Sequence, residues 1–224
     1  MRPDTSQRYG TFGRVVNFCA AFLLAAFCYA ATAAADDTLD VLVLGDSLSA
    51  GYGLEPGQSF PAKLEKKLIA GGLKVKVHNA GVSGDTASAG LSRLDWALAG
   101  VPGGKPDLAI VELGANDALR GIDPKVTIKA LSGILDRFRK DGVPVLLAGM
   151  KSPPNMGSDY LKQFDAIYPD LARKYGVALY PFFLEGVAGI RKLNLPDGIH
   201  PTAEGIDVIV ARITPMVHSL LTKQ

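Results

Sequence analysis

A four-residue apolar run, Val41-Leu42-Val43-Leu44, ends abruptly in Gly45-Asp46-Ser47. Valine alternating with leucine suits a strand buried on both faces, as in a parallel sheet. The glycine permits a sharp turn at the strand's carboxyl end, where open α/β sheets hold their ligands. Ser47 then stands at the rim of the sheet with its hydroxyl toward a crevice. It reads as a candidate nucleophile, with capping of a backbone amide as the plainer alternative.

The pattern recurs along the chain. Ser59 can cap a helix running from Phe60-Pro61 to about Ala70, with Phe60, Leu64, Leu68 and Ile69 at helical spacing. Val75 to Asn79 alternates and reads as a second strand, followed by the tight loop 80–86. A helix carrying Leu91, Leu94 and Leu98 is next, ended by Gly100. The run Leu108 to Leu113, broken only by Glu112, leads into Gly114-Ala115-Asn116-Asp117. Asp123-Pro124 opens another helix, whose inner face is expected to hold Val126, Ala130, Ile134, Leu135 and Phe138. Val145 to Met150 forms a fourth strand, 160–175 a helix, and Ala178-Leu179-Tyr180 a short strand. The last helix starts near Thr202, and Pro215 is expected to kink or interrupt it. Strict alternation of strand and helix predicts a three-layer α/β domain around a parallel sheet. Such a fold assigns no chemistry by itself.

The first 35 residues stand apart. Arg2, Arg8 and Arg14 precede an apolar stretch from Val15 to about Ala30, and Ala31-Thr32-Ala33-Ala34-Ala35 has the small residues of a signal-peptidase site. A cleaved signal peptide at 1–35 is expected, leaving one domain at 36–224 in the periplasm or outside the cell. An uncleaved anchor is the alternative, although the apolar stretch is short for a membrane span. The leader holds three arginines and one acid, so its removal takes the formal charge from +2 to zero. No basic block remains to suit nucleic acid or an anionic membrane. Both cysteines, Cys19 and Cys28, also lie in the leader, so thiolate catalysis, disulfides and cysteine–zinc sites drop out of the mature chain. Nothing in the sequence sets an oligomeric state.

Three further loops carry usable chemistry. His200 sits in the polar stretch Leu195-Pro196-Asp197-Gly198-Ile199-His200-Pro201. A turn there would put Asp197 and His200 on one side, letting the carboxylate hold Nδ1–H while Nε2 takes a serine proton. Capping of the turn is the alternative role for Asp197. Gly84 offers a backbone N–H that a substrate can approach closely, and Asn116 can direct its amide into the same crevice, as a tetrahedral oxyanion requires. A tight turn at Gly84 and an Asx-turn at Asn116 are the competing readings.

Together these stretches resemble the SGNH, or GDSL-type, hydrolases. Gly45-Asp46-Ser47-Leu48-Ser49 resembles the first block of that family and Ser83-Gly84-Asp85-Thr86 the second. Gly114-Ala115-Asn116-Asp117 resembles the third and Asp197-Gly198-Ile199-His200 the last, in family order across nearly the whole mature chain. The flanks, including Ala50-Gly51-Tyr52, Leu119-Arg120-Gly121 and Pro181-Phe182-Phe183, are similar to the bacterial periplasmic thioesterase, lysophospholipase and arylesterase branch. The resemblance implies a flavodoxin-like fold and hydrolysis of acyl or aryl esters and thioesters with no cofactor or metal. It implies Ser47 as nucleophile, His200 as general base and acid, and Asp197 as the orienting group. The oxyanion donors it implies are the Ser47 and Gly84 N–H groups and the Asn116 side chain.

Leu48, Leu119, Ile122 and Met156 lie in or beside the rim loops and suggest medium acyl or aryl groups, with the segment after Asn116 as a candidate flap. Two alternatives remain at this level. One is a carbohydrate acetylesterase. The other is a non-catalytic binding module, hinted at by Gly51-Tyr52-Gly53 but lacking the third glycine and the ribose-binding acid of a dinucleotide site.

Overall fold

The computed structural model describes residues 38–223, together with Met1. The expected leader and its cleavage site lie outside the described residues.

Five parallel strands form one sheet: β1 (Leu39–Gly45), β2 (Val75–Gly81), β3 (Leu108–Glu112), β4 (Val145–Ala148) and β5 (Ala178–Tyr180), in the order β2-β1-β3-β4-β5. This is the flavodoxin-like order, as the motifs imply. Val41 to Leu44 and all of β3 are buried, the burial that the apolar runs Val41–Leu44 and Leu108–Val111 require.

The connections explain where a site can form. The chain leaves β1 outward to β2 through α1 (Ser47–Ala50) and α2 (Phe60–Ala70). It then reverses, reaching β3 through α3 (Ala87–Ser92) and α4 (Leu94–Ala99). It continues through α5 (Ala115–Leu119) and α6 (Pro124–Asp141) to β4, then through α7 (Ser158–Asp165) and α8 (Ile167–Tyr175) to β5. Right-handed crossovers running in opposite directions place their helices on opposite faces of the sheet. Accordingly α2 packs with the final helix α9 (Ala203–Thr222), while α6 packs with α3 and α8. The reversal occurs between β1 and β3, and a crevice opens outside their carboxyl ends.

Several helices differ from the sequence expectation. The segment carrying Leu91, Leu94 and Leu98 is two short helices that meet at Arg93. Arg93 donates from Nε to Asp85 (2.5 Å) and from Nη2 to the Gly45 carbonyl (2.9 Å), so a tertiary anchor breaks the helix. The expected helix over 160–175 likewise divides at Ala166. Ser59 occupies the cap position of α2 but makes no side-chain cap bond. Ile69 and Val126 are 52% and 46% exposed, each at the margin of its apolar stripe, so neither belongs to the inner face assigned from spacing.

Pro215 does not interrupt α9. It lies on the exposed face, so the Ala211 carbonyl left without its helical partner also faces solvent. That helix is long and apolar enough to span a bilayer by length and composition, yet Ile206, Ile209, Val210, Ile213 and Val217 bury its apolar stripe in the core.

Candidate active site

The turn after β1 is built by close packing. Gly45 pairs with Glu112 across β1 and β3, and a Cβ on it would lie 2.3 Å from Ser49 Oγ and 2.8 Å from Glu112 Oε2. Only glycine fits without displacing them. Asp46 caps α1, its Oδ1 accepting from Leu48 N–H at 2.9 Å, and thereby fixes Ser47 at the first helical position. Beneath the turn, Ser49 Oγ donates to Glu112 Oε2 at 2.6 Å. Asp46 and Glu112 are both fully buried. Burial lifts Asp46 from its ordinary 3.8 to about 6. Burial, reinforced by the Asp46 charge, holds Glu112 well above the ordinary carboxyl range. Glu112 Oε1 is buried with no hydrogen-bond partner, which a neutral carboxyl tolerates better than a carboxylate.

The histidine loop closes on itself as a short antiparallel ladder. Leu195 N–H donates to the His200 carbonyl (2.7 Å), Thr202 N–H to the Leu193 carbonyl (2.9 Å), and Gly198 N–H to the Leu195 carbonyl (2.9 Å). Pro196 and Gly198 occupy the positions that such a turn favours. Asp197 Oδ1 accepts from the N–H groups of Ile199 (2.9 Å) and His200 (3.0 Å), while Oδ2 meets His200 Nδ1 at 2.7 Å. Those bonds, led by the His200 and Ile199 N–H groups, lower the Asp197 carboxyl from 3.8 to about 2. The other imidazole nitrogen, Nε2, lies 2.9 Å from Ser47 Oγ, bridging 153 residues of chain. Asp197, His200 and Ser47 thus form one hydrogen-bonded line.

Asn116 lies in the first turn of α5, just outside β3. Its Nδ2 donates to the Asp85 carbonyl (3.0 Å) and to Asp46 Oδ2 (3.2 Å), which brings the second and third motifs against the first. Gly84, one residue before Asp85, is held by Arg120, whose Nη2 donates to its carbonyl at 2.9 Å. Buried Asp117 fixes the helix itself: it accepts from Ala87 N–H and from Thr127 Oγ1, both at 2.8 Å.

A cavity of about 630 Å³ opens beside Ser47, Asn116 and His200. Leu48, Leu119, Met150, Pro153, Phe182, Leu184 and Ile199 make its walls largely apolar. Of the four apolar residues picked out from the sequence, Leu48 and Leu119 line the cavity and Ile122 and Met156 do not. Among the wall residues Phe182 lies in the Pro181-Phe182-Phe183 stretch that carries part of the family resemblance, whereas Met150 and Leu184 carry no pattern that separates them from ordinary core. Spacing alone does not mark Asp46 or Glu112 as members of the site. The one available signal was a glutamate inside the otherwise apolar run of β3.

A parallel α/β sheet with a serine, a histidine and an aspartate linked at its carboxyl edge defines a class: α/β hydrolytic domains of the flavodoxin-like type. The chain belongs to the GDSL-like lipase/acylhydrolase family, whose model matches residues 43–208. The resemblance carried by the four motifs is borne out. It is 43% identical over 178 residues to an arylesterase from Vibrio mimicus, covering 80% of this chain and 86% of that protein. Thioesterase 1/protease 1/lysophospholipase L1 from Escherichia coli strain K12 is 40% identical over 190 residues, covering 83% and 88%. The crystal structure of AlinE4, an SGNH-hydrolase family esterase, is 48% identical with a TM-score of 0.70, covering 83% of this chain and 98% of that one.

Proposed function

We propose that this protein hydrolyses carboxylic esters and thioesters through an acyl-serine intermediate. The observation that carries the reading is the continuous line from Asp197 through His200 to Ser47 Oγ, at 2.7 and 2.9 Å. Ser47 attacks the carbonyl while Nε2 of His200 takes its proton, and Asp197 holds the imidazole in the tautomer that leaves Nε2 free. The alcohol or thiol departs with that proton, and water, activated in the same way, releases the acid.

Charge developing on the carbonyl oxygen falls to the N–H groups of Ser47 and Gly84 and the amide of Asn116. In the free site both Nδ2 protons of Asn116 have protein acceptors. The longer bond, to Asp46, is the one an oxyanion would draw upon.

The apolar cavity favours acyl or aryl groups over a sugar, and the relatives named arylesterase and thioesterase agree with that chemistry. The leader at 1–35 makes the proposed working compartment the periplasm or the exterior, with Asp36 as the first mature residue.

A panel of p-nitrophenyl and coenzyme A esters of graded acyl length, run on wild type and Ser47→Ala, tests the reading. Hydrolysis by wild type and its loss in the variant support it. Equal turnover by both overturns it.

A further inference from the structure

The Gly51-Tyr52-Gly53 segment, which begins at the C-cap of α1, has no place in the scheme above. Gly51 and Gly53 both have positive φ, +90° and +70°, which side-chain-bearing residues rarely adopt. A Cβ on Gly53 would lie 2.7 Å from a methyl of Leu195, so this loop packs directly on the histidine loop. The backbone N–H of Tyr52 donates to the Ser47 carbonyl at 3.2 Å. These constraints throw the Tyr52 ring over the imidazole of His200, with ring centroids 4.3 Å apart and planes 34° apart. The tyrosine is 52% exposed, so its ring is covered on the His200 side and open to water on the other. A ring half in water, on a turn that glycine at 51 and 53 makes accessible, is not there for core packing.

We propose that Tyr52 is a positioning residue for His200: its π face covers the imidazole and stabilises the imidazolium that forms when Nε2 takes the Ser47 proton. The proposal rests on the acyl-serine reading above. An aromatic face attracts a cation within about 6 Å of its centroid and is far less attractive to a neutral ring. The contact therefore strengthens as the reaction proceeds, which is the condition for an interaction to raise turnover rather than merely bind. The other groups that face His200 are Asp197 from its own loop, Asp46 and the Ser47 hydroxyl from the turn after β1, and Lys151 across the cavity. All of them remain in a Tyr52 variant. Tyr52 is not among the residues that line the acyl cavity; its contact is with the histidine.

A partly exposed cation–π contact is worth a factor of about two to five in an equilibrium. The experiment measures kcat, KM and the pH dependence of kcat/KM for wild type, Tyr52→Leu, Tyr52→Phe and Ser47→Ala on one p-nitrophenyl ester. In Tyr52→Leu, kcat should fall at least about two- to five-fold with KM unchanged. Its acidic limb should move to lower pH by roughly 0.3 to 0.7 unit, because the cation has lost its support. Tyr52→Phe should restore both the limb and the turnover. A limb that moves to higher pH would mean that the ring acts by keeping water away, and overturns the proposal. An unmoved limb, or kcat and KM changing together, makes Tyr52 structural and overturns it as well. Full activity in Ser47→Ala would instead sink the acyl-serine reading itself, so the two failures are distinguishable.

Discussion

Ser49 Oγ and Glu112 Oε2 meet at 2.6 Å directly beneath the turn that presents Ser47. The bond joins the end of β3 to α1, so the same pair of strands that brackets the crevice also props its floor. It comes with two carboxyls, Asp46 and Glu112, both removed from water. Leu48 N–H and Asn116 Nδ2 donate to Asp46, and Ser49 Oγ donates to Glu112 Oε2, while Glu112 Oε1 has no partner.

This arrangement makes stability pH-dependent in a definite sense. Glu112 titrates above its ordinary 4.5 when folded, because burial penalises its anion. The unfolded chain releases that proton at lower pH, so the group weakens the fold as pH rises past about 4.5. Glu112→Gln removes the effect. Its melting temperature relative to wild type should therefore climb between pH 4.5 and neutrality, measured by calorimetry. A variant that loses ground to wild type over that range would show Glu112 to be a stabilising anion instead.

Asp197→Asn keeps an oxygen for the two backbone N–H groups but presents an amide to Nδ1. On the proposed mechanism that selects the wrong imidazole tautomer, and kcat should fall by about 10^3 to 10^4 with little change in melting temperature. Because the Asp197 carboxyl is lowered to about 2, it stays ionised well below the pH of any histidine titration. The acid-side loss of activity in wild type therefore does not come from Asp197. Stopped assays across pH 3 to 8 check both points.

Asn116→Ala should lower kcat by roughly 10^2 to 10^3, the usual loss for one oxyanion donor, and change KM little. Wild-type turnover in a folded Asn116→Ala would remove the side chain from the oxyanion site.

Pro215→Ala should stabilise the protein. Proline inside a helix is about 3 kcal/mol worse than alanine, although the added flexibility of the unfolded chain reduces the gain. An increase of about 1–2 kcal/mol in unfolding free energy is expected from denaturant titration. A decrease would show that the ring makes packing contacts that outweigh the missing backbone bond.

Much of this molecule is legible in the chain because its strands are short, apolar and buried on both sides. Val41 to Leu44, Leu108 to Val111 and Val145 to Ala148 each carry that mark, and each ends where the chemistry begins. The turn residues are legible in part: Asp123 makes the cap bond that its place before Pro124 suggests, whereas Ser59 makes none. What escaped local reading depends on distant partners. Arg93 breaks a helix because Asp85 and the Gly45 carbonyl hold it. The role of Tyr52 appears only when a segment 148 residues later folds over the same turn, and Glu112 looks like a flaw in a strand until Ser49 is set beside it.

The account depends above all on Ser47 being the atom that becomes acylated. Incubation with a fluorophosphonate, followed by intact-mass and peptide mapping, measures this directly. One adduct per chain on the peptide containing Ser47, abolished by Ser47→Ala and slowed in Asp197→Asn, is the expected result. A wild-type protein that hydrolyses esters yet carries no adduct, or carries it on another residue, would contradict the account.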